Sequence, residues 1–480
     1  MTFNPFTHIR YYIYLFQLEN YTLSRFIPVS FKSLFHARAR LRLGITWTPK
    51  LKILTAISVL AGILIVFIPF LTPSLGLFLQ VLIAVLMFFF FSYFFFLLLS
   101  LFMFLALPVD RYAKRRITKK AQKKLKTLSH DLTVIGITGS YGKTTMKEVV
   151  AAALSGKFNV LKTKKSKNTP LGISRQILSE LSEDIDVYVV EMGAYGRGEI
   201  KELVDLVAPE IVILVGINEA HLERQGSMEN IIQTKFEIVK HAPKDTFVVL
   251  NHDDKRVREN APRFIRNDQE VKWFGTTGGD IQASGINPQE NGTISFKLKG
   301  EEDYGIFSSR FLASYIALDA AAALCVAQKL EVSVGTVKAG ISQVSPAPHR
   351  LNPSELNGVL YIDDAYNGNP KGVEEALKVL QRFPDRRKIY ITPGLVEMGE
   401  RTEEVHTEIG RKLRRAADIV ILIENEATHI IRDTLLREGF SQENIHLFKS
   451  TPEAQEALKE EILQKGDVVL FQNDAAENYL

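Results

Sequence analysis

Two long charge-free stretches near the N-terminus constrain this chain more than any other feature. Residues 53–71 (ILTAISVLAGILIVFIPFL) and 75–107 (LGLFLQVLIAVLMFFFFSYFFFLLLSLFMFLAL) contain no Lys, Arg, Asp or Glu. About 20 apolar residues in a helix are enough to cross a bilayer. A helix in a soluble core does not stay apolar on every face for this length. The sequence therefore predicts a transmembrane helical hairpin, turning near Pro73-Ser74, within a membrane-associated region of residues 1–128.

Basic residues flank the apolar block on both sides. Residues 1–130 contain 17 Lys and Arg and two acids, a surplus of 15, whereas the whole chain carries +5 and residues 131–480 carry about −10. Basic flanks lie on the cytoplasmic side of a membrane, so both ends of the hairpin are expected there. A nucleic-acid binder more often carries its charge across the folded domain. We therefore expect membrane lipid and no nucleic acid as partners, and an inner (cytoplasmic) membrane location with the remaining domains facing the cytoplasm.

Two smaller features of the sequence are an aromatic N-terminal segment and a single cysteine. Residues 5–36 are rich in Tyr, Phe, Ile and Leu with scattered basic residues. This composition fits either a helix on the membrane surface or a small helical packing unit. The one cysteine, Cys325, excludes a disulfide framework and a cysteine-rich zinc site. We expect it to be a small core residue on a helix.

The pattern changes at Leu132 to short apolar runs that alternate with helical stretches. Such alternation predicts parallel sheets covered by helices, an α/β fold. The expected strands are 134–138, 187–193, 211–218 and 247–251, followed by a β-rich excursion at 281–309 and an alanine-rich helix at 311–330. A second alternating series begins near residue 358, after the Pro-rich stretch 345–353, which we interpret as a hinge. The predicted domains are a central one at 129–345 and a Rossmann-like C-terminal one at 346–480.

A glycine-rich loop after the first of these strands carries the strongest local signal. It reads Thr138-Gly139-Ser140-Tyr141-Gly142-Lys143-Thr144-Thr145 and opens a helix. Backbone N–H groups of such a loop and of the helix N-terminus point at phosphate. Lys143 can neutralise β/γ-phosphate charge and the Thr144 hydroxyl can bind Mg²⁺. The sequence therefore predicts an ATP site.

Three further polar residues follow the phosphate loop in order. Glu191 ends the strand VYVVEMG, His221 follows the strand IVILVGIN, and Lys235 lies in the next helical stretch. The carboxyl ends of parallel strands converge on one ligand crevice. Glu191 and His221 are therefore expected to lie near the phosphate loop.

These segments together resemble the Mur ligase family. The loop has two residues between Gly139 and Gly142, the shortened TGxxGKTT form, which is similar to Mur ligases and to the related folate-polyglutamate synthases. His349-Arg350 and the run 362–370 (IDDAYNGNP) resemble the Mur pattern HR…DDSYNANP in the branch that adds D-alanyl-D-alanine. The resemblance covers about residues 130–480. It implies a central P-loop ATPase domain, a C-terminal Rossmann-like ligase domain, and ATP and Mg²⁺ as cofactors.

The resemblance also implies roles for single residues. Glu191, His221 and Thr144 would bind Mg²⁺, and Lys235 resembles the lysine that the family carbamylates with CO₂ to form a metal-binding carbamate. Arg350 would reach the triphosphate and Asp364 the ribose, supported by Asn367. The remaining implied positions, which would contact substrate, are Asn168, Thr169, Glu400 and His406.

Two departures from the family pattern leave parts of the substrate open. A membrane segment stands where soluble members have a UDP-binding domain, and the His-Asn-x-x-Asn pattern expected near adenine is missing from RFLASYIALDAAAAL (310–324). We therefore expect a ligase of cell-wall precursor synthesis, which forms an acyl phosphate on a muramoyl-peptide carboxylate that D-alanyl-D-alanine attacks. The alternatives are a Mur-like ligase for a lipid-linked or other non-UDP substrate, and a catalytically inactive nucleotide-binding scaffold at the membrane.

Overall fold

A computed structural model describes most of residues 5–472. It leaves out 20, 35–43, 73, 129–130, 165–166, 195, 220–221, 289–292, 347, 366–367 and 396–397. The predicted turn at Pro73, the predicted metal ligand His221 and the predicted nucleotide-binding residue Asn367 thus lie outside the described residues. The chain divides into two compact units, Met1–Arg116 and Ile117–Leu480.

Helices make up the described secondary structure of the first unit. In chain order they are α1 (Pro5–Leu18), α2 (Leu23–Lys32), α3 (Pro49–Phe67), followed by a 3₁₀ turn at Ile68–Leu71, and α4 (Leu77–Lys126), whose end belongs to the second unit. The segments Pro49–Leu71 and Leu77–Lys126 are long and apolar enough to cross a membrane, by length and composition. In their most apolar windows, 28% and 22% of the residues are buried, so most of these side chains face outward.

The N-terminal aromatic segment shares a hydrophobic core with α3 and α4. Tyr12, Phe16, Phe26 and Phe96 are fully buried. The rings of Tyr12 and Phe96 are 5.2 Å apart, and those of Phe16 and Phe26 are 4.7 Å apart. These contacts fit the small helical packing unit, one of the two interpretations of residues 5–36.

The second unit opens with a nine-stranded sheet. Its elements are β1 (Thr133–Thr138), α5 (Lys143–Leu154), β2 (Val160–Lys162), α6 (Pro170–Glu180), β3 (Val187–Glu191), α7 (Glu199–Val207), β4 (Ile211–Leu214), α8 (Leu222–Gln225), α9 (Met228–Lys240), β5 (Phe247–Asn251), α10 (Lys255–Asn260), β6 (Glu270–Gly275), β7 (Ile281–Pro288), β8 (Ile294–Lys299), β9 (Asp303–Ser309), α11 (Ile316–Lys329) and α12 (Val334–Gln343). The strand order is β2-β3-β1-β4-β5-β6-β7-β8-β9. Strands up to β7 pair in parallel and β7 to β9 pair antiparallel.

Burial on both faces explains the apolar strands of this sheet. Every residue of β3, β4 and β5 is buried, as expected for a parallel sheet covered by helices. In the register of β1 with its neighbours, Ile137 lies opposite Glu191 and Thr138 lies opposite Leu214. The carboxyl ends of β1, β3 and β4 therefore meet at one edge of the sheet.

A second sheet of six strands forms the C-terminal part. Its elements are β10 (Asn352–Leu356), β11 (Val359–Asp364), α13 (Pro370–Leu380), β12 (Lys388–Thr392), α14 (Thr402–Ala416), β13 (Ile419–Ile423), α15 (Glu426–Arg437), β14 (Ile445–Phe448), α16 (Thr451–Ala457) and β15 (Val468–Gln472). The order is β10-β11-β15-β12-β13-β14, parallel apart from β10. The predicted α/β fold with parallel sheets is confirmed.

The edge strand β10 corrects the predicted hinge. It pairs antiparallel with β11 through the two-residue turn Asn357-Gly358, whose φ angles are 54° and 78°. Asn-Gly favours such a turn because both residues tolerate positive φ. The connection between the two sheets therefore ends at Leu351, and Asn352 and Pro353 belong to a strand.

Candidate functional site

The phosphate loop joins β1 to α5 in a tight backbone turn. Gly142 has φ 74° and forms the N-cap of α5. A Cβ on Gly139 would lie 3.1 Å from the carbonyl oxygen of Tyr141 and 3.2 Å from that of Gly216, so a side chain there would crowd the loop. The Lys143 ammonium donates to the Gly139 carbonyl at 2.7 Å. Burial lowers the pKa of Lys143, and the Glu191 carboxylate opposes that shift.

Oxygen atoms of Thr144 and Glu191 lie side by side at the edge of the sheet. The Thr144 hydroxyl donates to Glu191 Oε2 at 3.1 Å, and Asn168 Nδ2 donates to Glu191 Oε1 at 3.0 Å. Lys147 Nζ lies 3.5 Å from the same carboxylate. Hydroxyl and carboxylate oxygens are ordinary Mg²⁺ ligands. The structure thus brings together Thr144, Glu191 and Asn168, whereas the described residues contain no group of three or more His, Cys, Asp or Glu able to hold a metal.

Lys235 is a buried lysine on α9. The residue is only 3% exposed, and its amine donates to the Ala194 carbonyl at 3.3 Å. Burial, together with the positive charge of Lys143, lowers the pKa of Lys235 to about 7. The amine is therefore partly neutral near neutral pH, which reaction with CO₂ requires.

Arg350 and Asp364 lie on the C-terminal side of the site. Asp364 is buried at the end of β11 and accepts from Gln472 Nε2 at 2.7 Å and from the Leu351 N–H at 3.2 Å. Burial raises the pKa of Asp364 to about 7, and the charge of Arg350 opposes this rise. Arg350 also lowers the pKa of Lys143, so it lies within electrostatic reach of both groups.

The backbone on either side of Arg350 is unusual. His349 has φ 61° and Leu351 has φ 46°, left-handed values for two residues that are not glycine. Leu351 N–H is the donor to Asp364, and the His349 ring pairs with Asp363 at 2.7 Å. These contacts fix the left-handed backbone that presents Arg350.

The four candidate substrate residues occupy different environments. Asn168 contacts Glu191, whereas Thr169 is exposed and caps α6 by accepting from the Gly172 N–H at 3.3 Å. Glu400 is exposed. His406 is fully buried; its Nε2 accepts from the Leu395 N–H at 2.9 Å and its Nδ1 lies 2.6 Å from the Thr402 carbonyl. His406 therefore holds the Leu395 backbone in place.

The loop after β4 contacts residues at the start of α13 and α14 in the C-terminal domain. Asn218 Nδ2 donates to Asn369 Oδ1 at 3.1 Å. Arg401 Nη1 lies 2.5 Å from Glu219 Oε1, and Arg256 pairs with the same oxygen. The segments that carry the predicted metal and substrate residues thus meet across the two sheets.

Sequence reasoning missed several residues of this region. Lys147 follows Lys143 by four residues, so both lie on one helix face, which was a usable signal. Tyr315 lies near Thr145 and within electrostatic reach of Asp364 and Arg350. No local pattern indicated Tyr315, because its neighbours come from three distant segments.

Comparison with known proteins assigns the family. Residues 137–327 match the model of the Mur ligase middle domain, and residues 349–472 match that of the Mur ligase glutamate ligase domain. The structure is similar to MurF ligase from Thermotoga maritima in complex with ADP, with a TM-score of 0.64, 30% identity, and coverage of 75% of this chain and 80% of that one. This chain belongs to the Mur ligase family.

Two relatives show which branch of the Mur ligase family it resembles. The UDP-N-acetylmuramoyl-tripeptide–D-alanyl-D-alanine ligase of Synechocystis is 29% identical over 342 residues, 70% of this chain and 71% of the relative. The enzyme of the same name from Bacillus subtilis is 27% identical over 341 residues, 70% of this chain and 72% of the relative. The prediction of a MurF-like ligase is confirmed at the level of family, fold and enzyme class.

Proposed function

We propose that this Mur ligase joins D-alanyl-D-alanine to a muramoyl-peptide acceptor at the expense of ATP. The γ-phosphoryl group of ATP passes to the acceptor carboxylate, which gives an acyl phosphate and ADP. The amine then attacks the carbonyl carbon, its C–O bond to phosphate breaks, and the amine loses a proton as phosphate leaves. The observation that carries the proposal is the Thr144–Glu191 contact at the mouth of the phosphate loop, whose Lys143 lies within electrostatic reach of the buried Lys235.

The phosphate loop would hold the triphosphate. Lys143 already folds over the loop at Gly139, where it would counter charge that develops during transfer. Arg350 would add a second positive charge, and Asp364 would accept from the ribose, with Asn367 in support. The proposed ATP-binding residues are Gly139, Ser140, Tyr141, Gly142, Lys143, Thr144, Thr145, Arg350, Asp364 and Asn367.

Side-chain oxygens beside the loop fit Mg²⁺. Thr144 and Glu191 supply a hydroxyl and a carboxylate 3.1 Å apart, and His221 and the carbamate of Lys235 would complete the set. Bound Mg²⁺ would neutralise the repulsion between the triphosphate and the acceptor carboxylate. The low pKa of Lys235 supports carbamylation, because only the neutral amine reacts with CO₂.

The substrate residues would act in two ways. Asn168, Thr169 and Glu400 would contact the acceptor or the amine donor directly. Because His406 is buried with both ring nitrogens engaged by backbone groups, it would position the Leu395 segment for the incoming dipeptide.

The cellular setting is part of the same proposal. The hairpin of residues 53–71 and 75–107 would cross the inner membrane, within a lipid-contacting region of residues 1–128. The ATP-binding domain (129–345) and the C-terminal domain (346–480) would face the cytoplasm, where ATP is available. Outward-facing apolar side chains on α3 and α4 support this placement, for example Leu64 and Phe78, which are 62% and 82% exposed.

A lipid-linked or other non-UDP acceptor is the second candidate. It is favoured by the apolar helices of the first unit, which stand before the first family-matched residue, 137. Membrane attachment would restrict the enzyme to the surface on which a lipid-linked precursor diffuses. An inactive scaffold is the remaining alternative, and it predicts nucleotide binding without turnover.

Turnover of the full chain in lipid nanodiscs decides among these functions. UDP-linked and lipid-linked muramoyl tripeptides are each supplied with D-alanyl-D-alanine, ATP and Mg²⁺, while ADP and the product mass are followed. We expect one ADP per amide formed, with the preferred acceptor identified by its rate. ATP binding without product on either acceptor would overturn the ligase proposal and leave the scaffold.

A further inference from the structure

We propose that Lys371 is a positioning residue that ties the C-terminal domain to the phosphate loop through Tyr141 and Asp254. The inference rests on the proposed function in that the phosphate loop is taken as the nucleotide site. The contacts that support the inference are observed independently of that function. Of the three residues, only Tyr141 belongs to the proposed ATP site.

Tyr141 reaches away from the phosphate loop toward Asp254. Its hydroxyl donates to Asp254 Oδ2 at 2.9 Å. Its ring lies over Gly216, where an added Cβ would come within 2.2 Å of the hydroxyl oxygen. Burial raises the pKa of Tyr141, and the neighbouring Asp254 charge raises it further. The hydroxyl therefore stays protonated and can donate to Asp254 and accept from another group at the same time.

Asp254 is a fixed anchor inside the central domain. Its side chain is 2% exposed, Oδ1 accepts from the Arg256 and Val257 N–H groups at the start of α10, and Oδ2 accepts from the Ile217 N–H at 3.0 Å. Charge-assisted bonds of this kind are stronger than neutral ones. The carboxylate is thus held in place whether or not the C-terminal domain is near.

Lys371 brings the C-terminal domain to this pair. Its ammonium donates to the Tyr141 hydroxyl at 3.2 Å, lies 3.5 Å from Asp254 Oδ2, and stands 5.0 Å from the centre of the Tyr141 ring. The contact combines an ion pair, a hydrogen bond and a cation–π interaction. A buried carboxylate makes it stronger than a pair in which both charges are exposed.

The position of Lys371 on α13 argues against a role in helix stability. It is the second residue of a helix capped by Asn369, where the helix dipole disfavours a cation. Its neighbour Asn369 meets Asn218 of the central domain at 3.1 Å. The start of α13 is therefore arranged as a contact surface for the central domain, with Lys371 placed over the nucleotide loop.

The contacts of Lys371 with Tyr141 and Asp254, called the bridge below, couple the position of the C-terminal domain to nucleotide binding. A ligand that fixes the loop conformation seen here favours the bridged arrangement, and the bridged arrangement in turn favours that ligand by the same factor. Lys371 would thereby slow nucleotide release and keep the C-terminal domain over the site while the amine donor binds.

Distances between two spin labels on the full chain in nanodiscs test the bridge. Labels on Glu302→Cys and Gln442→Cys report on the two domains, since both sites are exposed and the single native Cys325 is buried. We expect Lys371→Met to lower the ratio of bridged to separated molecules about three- to fivefold, and ADP dissociation to quicken by a similar factor. Lys371→Arg should restore both within about twofold, which a merely structural role would not predict.

A matched control and a double-variant cycle complete the test. Lys378→Met removes a similarly exposed lysine of α13 that pairs within its own helix, and should leave both readouts unchanged. Lys371→Met combined with Tyr141→Phe should cost less than the product of the single effects. Unchanged distances and ADP release in Lys371→Met would overturn the bridge. If ADP binds neither to the natural chain nor to any variant, the proposed nucleotide site is refuted. The distances between the spin labels then still test the Lys371 bridge.

Discussion

Replacement of Lys235 tests the most unusual electrostatic feature of the site. With a pKa of about 7, about half of these amines are neutral at pH 7 and about 90% at pH 8. A lysine of ordinary pKa 10.5 has about one neutral amine in 300 at pH 8. If the two amines have equal affinity for CO₂, Lys235 should form carbamate about 300 times more readily.

Carbon-13 NMR of the chain with labelled bicarbonate measures this directly. At pH 8 we expect a carbamate signal that disappears in Lys235→Arg and remains in Lys240→Arg, a substitution of an exposed lysine on the same helix. Ligase activity should fall in CO₂-depleted buffer and in Lys235→Ala, where added small carboxylates restore part of it. No Lys235-dependent signal between pH 6.5 and 9, with full activity of Lys235→Arg without CO₂, would refute the reasoning.

The burial of Lys235 also makes the free energy of unfolding depend on pH. The unfolded chain holds the Lys235 proton up to about pH 10.5, whereas the folded chain releases it near 7. Stability therefore rises with pH between these values, by at most about 1.4 kcal/mol per unit from this group. In CO₂-free urea titrations, Lys235→Met should be more stable than the natural chain at pH 7, and the difference should shrink toward pH 10. A difference independent of pH would contradict the shifted pKa.

Three further predictions concern the loop, the topology and the domain contact. Lys143→Ala should lower acyl-phosphate formation about 100- to 1,000-fold with an unchanged circular dichroism spectrum; near-normal turnover would remove Lys143 from the mechanism. Reporter fusions at residues 1 and 480 should both be cytoplasmic, and opposite sidedness would exclude the hairpin. Arg401→Ala leaves Glu219 with Arg256 alone and should raise the KM for the amine donor severalfold; an unchanged KM would separate this contact from substrate binding.

The fold followed from local patterns wherever burial dictates composition. Fully buried strands such as β3 read as continuous apolar runs, and β5 occupies the predicted 247–251. The apolar helices differ at their ends. α3 begins at Pro49, capped by Thr48, and α4 continues to Lys126. Apolar composition defines the part that suits a membrane, whereas helix-forming basic residues extend the helix beyond it.

The site was predictable where strand ends converge and unpredictable where domains meet. A strand-end glutamate behind a phosphate loop indicated that Glu191 lies near Thr144, although the register of Ile137 with Glu191 needed the structure. The Arg401–Glu219 and Lys371–Asp254 pairs join distant parts of the chain. No periodicity or turn signal reports such pairs, because they depend on the placement of one sheet against another.

The left-handed residues around Arg350 bear on how the C-terminal domain can move. His349 and Leu351 lie in the connection between the sheets, and each such conformation costs about 1–3 kcal/mol for a residue that is not glycine. If these angles relax when the domains separate, the bridged state stores backbone strain that favours separation. Leu351→Gly would remove part of that strain and shift the equilibrium toward the bridged state, while it also increases the entropy of the unfolded chain. The backbone at His349 and Leu351 would then set the rate at which the domains separate, and so the rate of product release.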